Sequence, residues 1–401
     1  MDDIKLTESK IFMQVANRLP ITIVKGKGTY VWDDKGNKYL DFICGIATNL
    51  LGHADKGLAK TIGNQAKKLI HVSNIFYSEP QILLGKLLLQ SASMDKIWFC
   101  NSGAEANEAA IKLARKWGKI NKNGASEIIV AKNAFHGRTI ATISATDNEN
   151  YKNNFKPLLP GFKFVEFNSI EHIKKMTSIK TVAIMLEPIQ GEGGVNTPNF
   201  GYLTEVRDWC NMNNILFILD EIQTGMGRTG LPWAHQHEDI KPDIMTTAKG
   251  LGGGLPIGGI MCTERANIFT PGDHGSTFGG NVLTCAGAYY IASRLFKKNM
   301  IDRIQQTILI LDNLLDKLIT KNEYIINIRG KGLLRGIEFS SDIAPKISQE
   351  CIKNGLLVNP VKPNIIRLMP PLNVTSGELN KAIAIITKST KKIIKDIEEE
   401  K

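Results

Sequence analysis

The chain has 401 residues and is 43% hydrophobic, enough to bury a sizeable core and to hold more than one domain. Its net charge of +11 is dispersed, with Lys391, Lys392 and Lys395 beside Glu398, Glu399 and Glu400, which argues against a nucleic-acid-binding chain. No apolar run approaches the ~20 residues of a membrane helix.

The start, Met1-Asp2-Asp3-Ile4-Lys5, is acidic and polar and matches neither a secretory signal nor an arginine-rich transit peptide. Cys44, Cys100, Cys210, Cys262, Cys285 and Cys351 form no C-x-x-C pair, so reduced thiols in a cytoplasmic protein without a metal site are expected. An N-terminal segment runs from residue 1 to 52, with short strands in 28–42 around Asp33-Asp34-Lys35-Gly36-Asn37. From 53 to 286, apolar strands alternate with helical patterns, which predicts an α/β unit with a mainly parallel sheet and helices on both faces. Residues 97–100 read as a strand that runs into Asn101-Ser102-Gly103-Ala104-Glu105. Ala106, Ala110, Leu113, Ala114 and Trp117 then recur at helical spacing, so a helix begins near Ser102. Ser102 and Glu105 fit the S-x-x-E capping box, which usually caps a helix and nothing more. Free amides at such a start, with Gly103 allowing close approach, also suit a phosphate.

A strand over 127–132 leads to Asn133-Ala134-Phe135-His136-Gly137-Arg138. Phe135 or His136 offers a flat face to a planar ring, or else plugs the core. Arg138 is a candidate fork for a carboxylate. The strand over 182–186 ends in Glu187-Pro188-Ile189-Gln190-Gly191-Glu192, two carboxylates at a glycine turn. The buried strand over 215–219 ends on Asp220, and a second, over 244–248, delivers Lys249 into Gly250-Leu251-Gly252-Gly253-Gly254. This is no dinucleotide loop, because Leu255 stands in place of the last glycine of G-x-G-x-x-G. A carboxylate and a lysine at the ends of adjacent strands point into one crevice. Pyridoxal phosphate chemistry needs that pair, a lysine for the Schiff base and an acid to keep the pyridine nitrogen protonated. The tail, 287–401, reads as an α+β domain: helical patterns over 286–296 and 301–318, strands around 333–339 and 365–369, and a helix from 376 to about 397.

Taken in order, Asn101-Ser102-Gly103-Ala104-Glu105-Ala106-Asn107, Phe135-His136-Gly137-Arg138, Glu187-Pro188-Ile189-Gln190-Gly191-Glu192, Asp220-Glu221-Ile222-Gln223-Thr224-Gly225-Met226-Gly227-Arg228 and Ala248-Lys249-Gly250-Leu251-Gly252 resemble the class III aminotransferases, a fold type I pyridoxal phosphate family, over nearly the whole chain. The compact length, His274-Gly275-Ser276-Thr277-Phe278-Gly279-Gly280-Asn281, and Gly45-Ile46-Ala47 before Leu51-Gly52-His53 favour the acetylornithine branch. The resemblance implies a large domain with a seven-stranded, mainly parallel sheet and a smaller α+β domain, the N-terminal segment packing with the latter. It implies that Lys249 binds the cofactor and shuttles the proton and that Asp220 pairs with the ring nitrogen. Gln223 would bond the ring hydroxyl, Phe135 would stack on the ring beside His136, and Ser102, Gly103 and Ala104 would bind the phosphate. Thr277 would reach that phosphate from the neighbouring subunit of a homodimer, with Ser276 beside the substrate. Arg138 would take the α-carboxylate, and Arg367 would pair with Glu192 until 2-oxoglutarate needs it. The reaction implied is ping-pong transfer of the δ-amine of N²-acetylornithine to 2-oxoglutarate, in arginine biosynthesis. An ornithine, succinylornithine or 4-aminobutyrate aminotransferase, an aminomutase, and a silent scaffold that kept the fold are the alternatives. Ala16 stands where many relatives carry tyrosine, Thr48 replaces a common valine, and Ala54-Asp55 follows Gly52-His53 where relatives carry a His-Pro pair.

Overall fold

The apolar runs of the sequence lie side by side in the computed structural model, which describes residues 4–399. Met1, Asp2 and Asp3 of the acidic start, and Glu400 of the terminal charge mixture, lie outside the described residues. Seven strands form one sheet in the order Lys96–Cys100, Gly258–Cys262, Ile244–Thr247, Leu216–Asp220, Thr181–Leu186, Glu127–Ala131 and Phe162–Val165. Every residue of Thr181–Leu186 and Leu216–Asp220 is buried, as central strands covered on both faces require. Alternate side chains go to opposite faces. Ile128 and Val130 join Ala110, Leu113 and Trp117 in one core, while Ile129 and Ala131 join Leu203, Val206 and Phe217 in another.

The sheet is parallel except for Gly258–Cys262, which runs antiparallel to both of its neighbours. At Gly258 a Cβ would lie 2.5 Å from the carbonyl of Ser102. Glycine therefore lets this strand close against the start of the Gly103–Asn121 helix.

Two four-stranded sheets complete the fold. In the first, Tyr30–Asp33 and Lys38–Asp41 pair antiparallel, and Lys38–Asp41 pairs with Leu356–Leu357, so the N-terminal segment is tied to the C-terminal third. The turn between the first two is held by Asp33, whose carboxylate accepts from the amides of Lys35 (3.0 Å) and Asn37 (2.8 Å). The other sheet has the order Ile325–Lys331, Leu334–Phe339, Ile365–Leu368, Asn359–Lys362. Ile325–Lys331 escapes a reading by apolar runs because most of it is exposed or half-buried. The helices Val282–Leu295, Lys298–Thr320 and Ser376–Glu399 pack into one core with Leu40, Phe42, Leu84 and Leu88. No helix among the described residues is long and apolar enough to cross a membrane.

Candidate active site

Parallel pairing sets Asp220 opposite Thr246, so the acid ends its strand where the next one turns out towards Lys249. Lys249 adopts φ +39°, a left-handed conformation that costs a side-chain-bearing residue about 1–2 kcal/mol. Strain of this kind collects where geometry serves chemistry. A cavity of about 470 Å³ opens at these strand ends. Its wall includes Lys249, Asp220, Ser102, Gly103, Ala104, Phe135, His136, Arg138, Glu192 and Gln223.

Asp220 is buried and fully oriented. Its Oδ2 accepts from Asn107 Nδ2 (2.7 Å) and faces His136 Nδ1 (2.8 Å), while Oδ1 accepts from the amide of Ile222 (3.1 Å). Burial opposes the charged His136 ring, yet the bond to Asp220 and the charges of Asp220 and Glu187 outweigh it and raise the pKa. Asn107 carried no role in the sequence reading. It accepts from Thr246 Oγ1 (2.8 Å) and donates to the carbonyl of His136 (2.8 Å) as well as to Asp220. An amide on the same helical stripe as Ala110, Ile111 and Ala114 was the available signal, since buried polar groups need partners.

The helix Gly103–Asn121 starts with Ser102 as its cap, Oγ accepting from the amide of Glu105 (3.2 Å). The reciprocal half of the box is shifted by one residue: Glu105 accepts from the amide of Asn101 (2.8 Å). Gly103 and Ala104, whose amides precede the first intrahelical bond, line the cavity. A Cβ on Gly103 would meet Ile222 at 2.8 Å, so glycine permits the close approach of the Asp220 turn. Phe135 packs edge-on to Tyr151, and the exposed Arg138 lies with its guanidinium 3.5 Å from the centre of the Tyr151 ring. Tyr151 is a second residue the sequence reading passed over.

Arg367, fully buried on Ile365–Leu368, reaches Glu192 Oε1 (2.7 Å), Gln223 Oε1 (3.0 Å) and Asn359 Oδ1 (2.7 Å). The expected pair is thus a cluster, with Gln223 bonded to the arginine. A Cβ on Gly191 would come within 1.9 Å of Gln223 Oε1, so this glycine makes room for it. Burial disfavours the Glu192 carboxylate, but Arg367 and Lys249 outweigh that and hold its pKa below the ordinary value. Lys249 Nζ has no hydrogen-bond or ion-pair partner among the described residues, and burial lowers its pKa against the pull of Glu192. Glu187 lines the same cavity and accepts from the amides of Phe135 (3.0 Å) and Gly191 (3.2 Å); burial pushes its carboxyl up to about 7.

Ser276 and Thr277 lie outside this cavity wall. Ser276 Oγ accepts from Asn101 Nδ2 (2.9 Å) and from the amide of Gly279 (3.1 Å), whereas Thr277 is exposed. Of the three departures, Thr48 lines the cavity and Ala16 is exposed. Asp55 caps the helix Lys56–Lys68 and accepts from Tyr290 Oη (2.9 Å), a structural use for this side chain. Among the described residues no cluster of ligating side chains suits a metal ion, and all six cysteines are free and buried.

The residues fit pyridoxal phosphate. Among the described residues Lys249 and the buried Nε2 of His136 have no partner, and helix-start amides line the same cavity as an oriented acid. Lys249 would hold the aldehyde, Asp220 the ring nitrogen, and Ser102, Gly103 and Ala104 the phosphate. A family model described as aminotransferase class-III matches residues 12–390. An acetylornithine aminotransferase of Caldanaerobacter subterraneus subsp. tengcongensis is 46% identical over 94% of this chain and 97% of its own. Among solved structures, the ornithine aminotransferase of Toxoplasma gondii ME49 superposes with a TM-score of 0.92 at 34% identity, over 99% of this chain and 95% of that one. The N-acetylornithine aminotransferase of Stenotrophomonas maltophilia K279a does so with 0.85 at 31% identity, over 98% and 100%.

Proposed function

The chain belongs to the class-III aminotransferases, pyridoxal phosphate-dependent transaminases, and we propose that it moves the δ-amine of N²-acetylornithine to 2-oxoglutarate. The products are N-acetylglutamate 5-semialdehyde and glutamate, and the pathway is arginine biosynthesis. The observation that carries the reading is the Glu192–Arg367–Gln223 cluster beside Lys249.

One pocket has to accept a donor whose reacting end carries only an amine and then an acceptor whose reacting end carries a carboxylate. With Glu192 on Arg367 the wall presents no net charge to the donor; with Glu192 swung away, a bare guanidinium meets the carboxylate that 2-oxoglutarate carries beside its reacting carbonyl. Arg138, with no carboxylate partner among the described residues and open to solvent, takes the α-carboxylate of the donor, the end remote from the reacting δ-amine, and the remote carboxylate of 2-oxoglutarate fills that place in the second half. An electron sink for the carbon that bears the transferred amine is what pyridoxal phosphate supplies when bound. Lys249 Nζ, held towards its neutral form by burial, takes the proton from that carbon and returns it later. Asp220 keeps the ring nitrogen protonated, and Asn107 and His136 fix its carboxylate. The product of the first half leaves before the acceptor enters, so the kinetics are ping-pong.

Replacing Glu192 by alanine leaves Arg367 uncovered throughout. A bare cation then meets the donor, at the cost of a charge-assisted bond, about 1.5–3 kcal/mol or at least tenfold in rate. The donor half-reaction should slow by about tenfold or more, and the 2-oxoglutarate half should change little. Stopped-flow rates for the two halves decide the point, and equal losses would count against the exchange.

A homodimer with Thr277 of each subunit serving the other's phosphate belongs to the same reading. In its support, Ile75, Phe76, Tyr77 and Phe278 are exposed together, with Tyr77 98% exposed. Asn74 bonds the carbonyls of Ser276 (3.3 Å) and Gly279 (2.8 Å), which joins that apolar surface to the Thr277 loop. A cytoplasmic location agrees with six free thiols that burial keeps from the surface.

Likeness to ornithine aminotransferases at 34% identity keeps ornithine as the second donor to test. N²-acetylornithine, ornithine, succinylornithine and 4-aminobutyrate, each added to the purified enzyme without an acceptor, separate the readings. Loss of the cofactor's visible band chiefly with N²-acetylornithine, restored by 2-oxoglutarate, is expected. Bleaching by another donor alone would keep the aminotransferase and remove the arginine pathway.

A further inference from the structure

We infer that Asn107 is a positioning residue for the cofactor's ring nitrogen, acting through Asp220; the inference rests on the reading of the site above. Asn107 is fully buried, one turn into the Gly103–Asn121 helix, and its amide is satisfied at every contact the fold offers. The His136 carbonyl and the Asp220 carboxylate only accept, which fixes Nδ2 towards them and leaves Oδ1 to accept from Thr246 Oγ1 (2.8 Å). The Nδ2 group then has two donors, one for the His136 carbonyl (2.8 Å) and one for Asp220 Oδ2 (2.7 Å).

The consequence lies in how the Asp220 carboxylate is divided. Oδ2 meets two side-chain donors, Asn107 and His136, while Oδ1 meets a single backbone amide, that of Ile222 (3.1 Å). Spare acceptor capacity is therefore concentrated on Oδ1, and the carboxylate cannot turn without losing both Oδ2 bonds. Two donors on Oδ2 also stabilise the ionised carboxylate, the form able to hold a proton on a pyridine nitrogen. Asn107 does this without adding charge. An arginine or lysine at 107 would compete with the ring nitrogen for the acid, and an aspartate would repel it. Thr246 sits beneath the amide, on the strand opposite Asp220, and does not line the cavity. The helix that presents its N-terminal amides to the phosphate thus also carries, one turn on, the group that aims the acid at the ring's far end.

The test uses Asn107→Leu, close in size and unable to hydrogen-bond, and Asn107→Ser, smaller and polar in case leucine impairs folding. Wild type and both variants are loaded with pyridoxal phosphate labelled with ¹⁵N in the ring, and the ring-nitrogen shift is followed against pH. Half-reaction rates are measured in parallel. The expected result is loss of the ring proton at a pH lower by about one unit or more, the value of roughly one hydrogen bond to a charged group. The rates of both half-reactions should fall about tenfold or more, with KM for donor and acceptor nearly unchanged. A ring nitrogen that titrates as in wild type, whatever happens to the rates, overturns the inference. Failure of the wild type itself to take up the labelled cofactor would instead remove the reading on which the inference stands.

Discussion

Lys249→Ala is expected to abolish the visible band of the lysine-bound cofactor and to lower transamination by on the order of 10⁴-fold, the upper range for losing a positioned acid–base group. Among the described residues no other lysine lines the cavity. Lys112 bonds the carbonyl of Asp273 (2.8 Å) and Lys122 bonds that of Asn213 (2.9 Å), and neither lines the cavity. Lys249 itself has no partner to lose among the described residues, and removing a half-buried cation relieves a desolvation cost. The variant should therefore fold at least as stably as the wild type, and alanine at φ +39° keeps only the backbone strain. Borohydride treatment followed by peptide mapping checks the covalent role, because the wild type should carry the reduced cofactor on Lys249 and on no other lysine. Small primary amines added in solution should restore part of the alanine variant's rate, since a cavity of about 470 Å³ leaves room for a diffusible base where the side chain stood. Labelling of a different lysine, or full activity in the variant, would remove Lys249 from the mechanism. Lys249→Arg should not rescue, because a guanidinium stays protonated and cannot take the proton.

How far this was legible beforehand depends on what kind of contact each residue makes. Asp220 and Lys249 were readable because parallel strands end together, so a residue just past an apolar run is placed by the sheet itself. The Ser102 cap was readable because it is local, although its reciprocal bond comes from the amide of Asn101 and not from that of Ser102. The Gly258–Cys262 strand was not, since two glycines and a reversed direction break the pattern of a βαβ chain. Pairings across the molecule were beyond residue patterns alone. Arg367 reaches Glu192 from a strand 175 positions away, and only the family resemblance joined them. Gln223 in that cluster, Tyr151 under Arg138 and Asn107 on Asp220 were hidden for the same reason: each is specified by what packs against it, not by its neighbours in sequence. Arg367 is also the case where burial decides function, because a guanidinium 1% exposed needs Glu192, Gln223 and Asn359 around it whatever its substrate role.

Asp220→Asn should cost about a thousandfold in the rate of both half-reactions, the equivalent of the roughly 3–5 kcal/mol lost when one member of a buried ion pair is removed. The substitution keeps the size and fails on donors and acceptors. Asn107 Nδ2 and His136 Nδ1 both point at Oδ2, and the amide of Ile222 points at Oδ1. An asparagine offers one oxygen, so its NH₂ group must face a donor on one side or the other. The cofactor-free protein gives a second readout, through pH. The His136 pKa is raised above 6.5 in the fold, so its contribution to stability is fully present below 6.5 and is lost as pH rises through the folded value. Glu187, raised from 4.5 to about 7, moves the same way, its contribution present below 4.5 and lost by the time pH passes about 7. Wild-type stability from these two groups therefore declines between mildly acidic and mildly alkaline pH, each tenfold change in a group's proton affinity being worth about 1.4 kcal/mol. Asp220 is a cause of both displacements, holding the proton on His136 by its hydrogen bond and charge and disfavouring the Glu187 anion by its charge. With the neutral asparagine in its place, both pKa values relax downwards and the decline flattens. Thermal unfolding of the two cofactor-free proteins at about pH 6 and about pH 8.5 should give a wild-type advantage that is larger at the lower pH. An advantage that is the same at both, or grows with pH, would mean that Asp220 does not hold the His136 proton, and the acid would lose its place at the centre of the network.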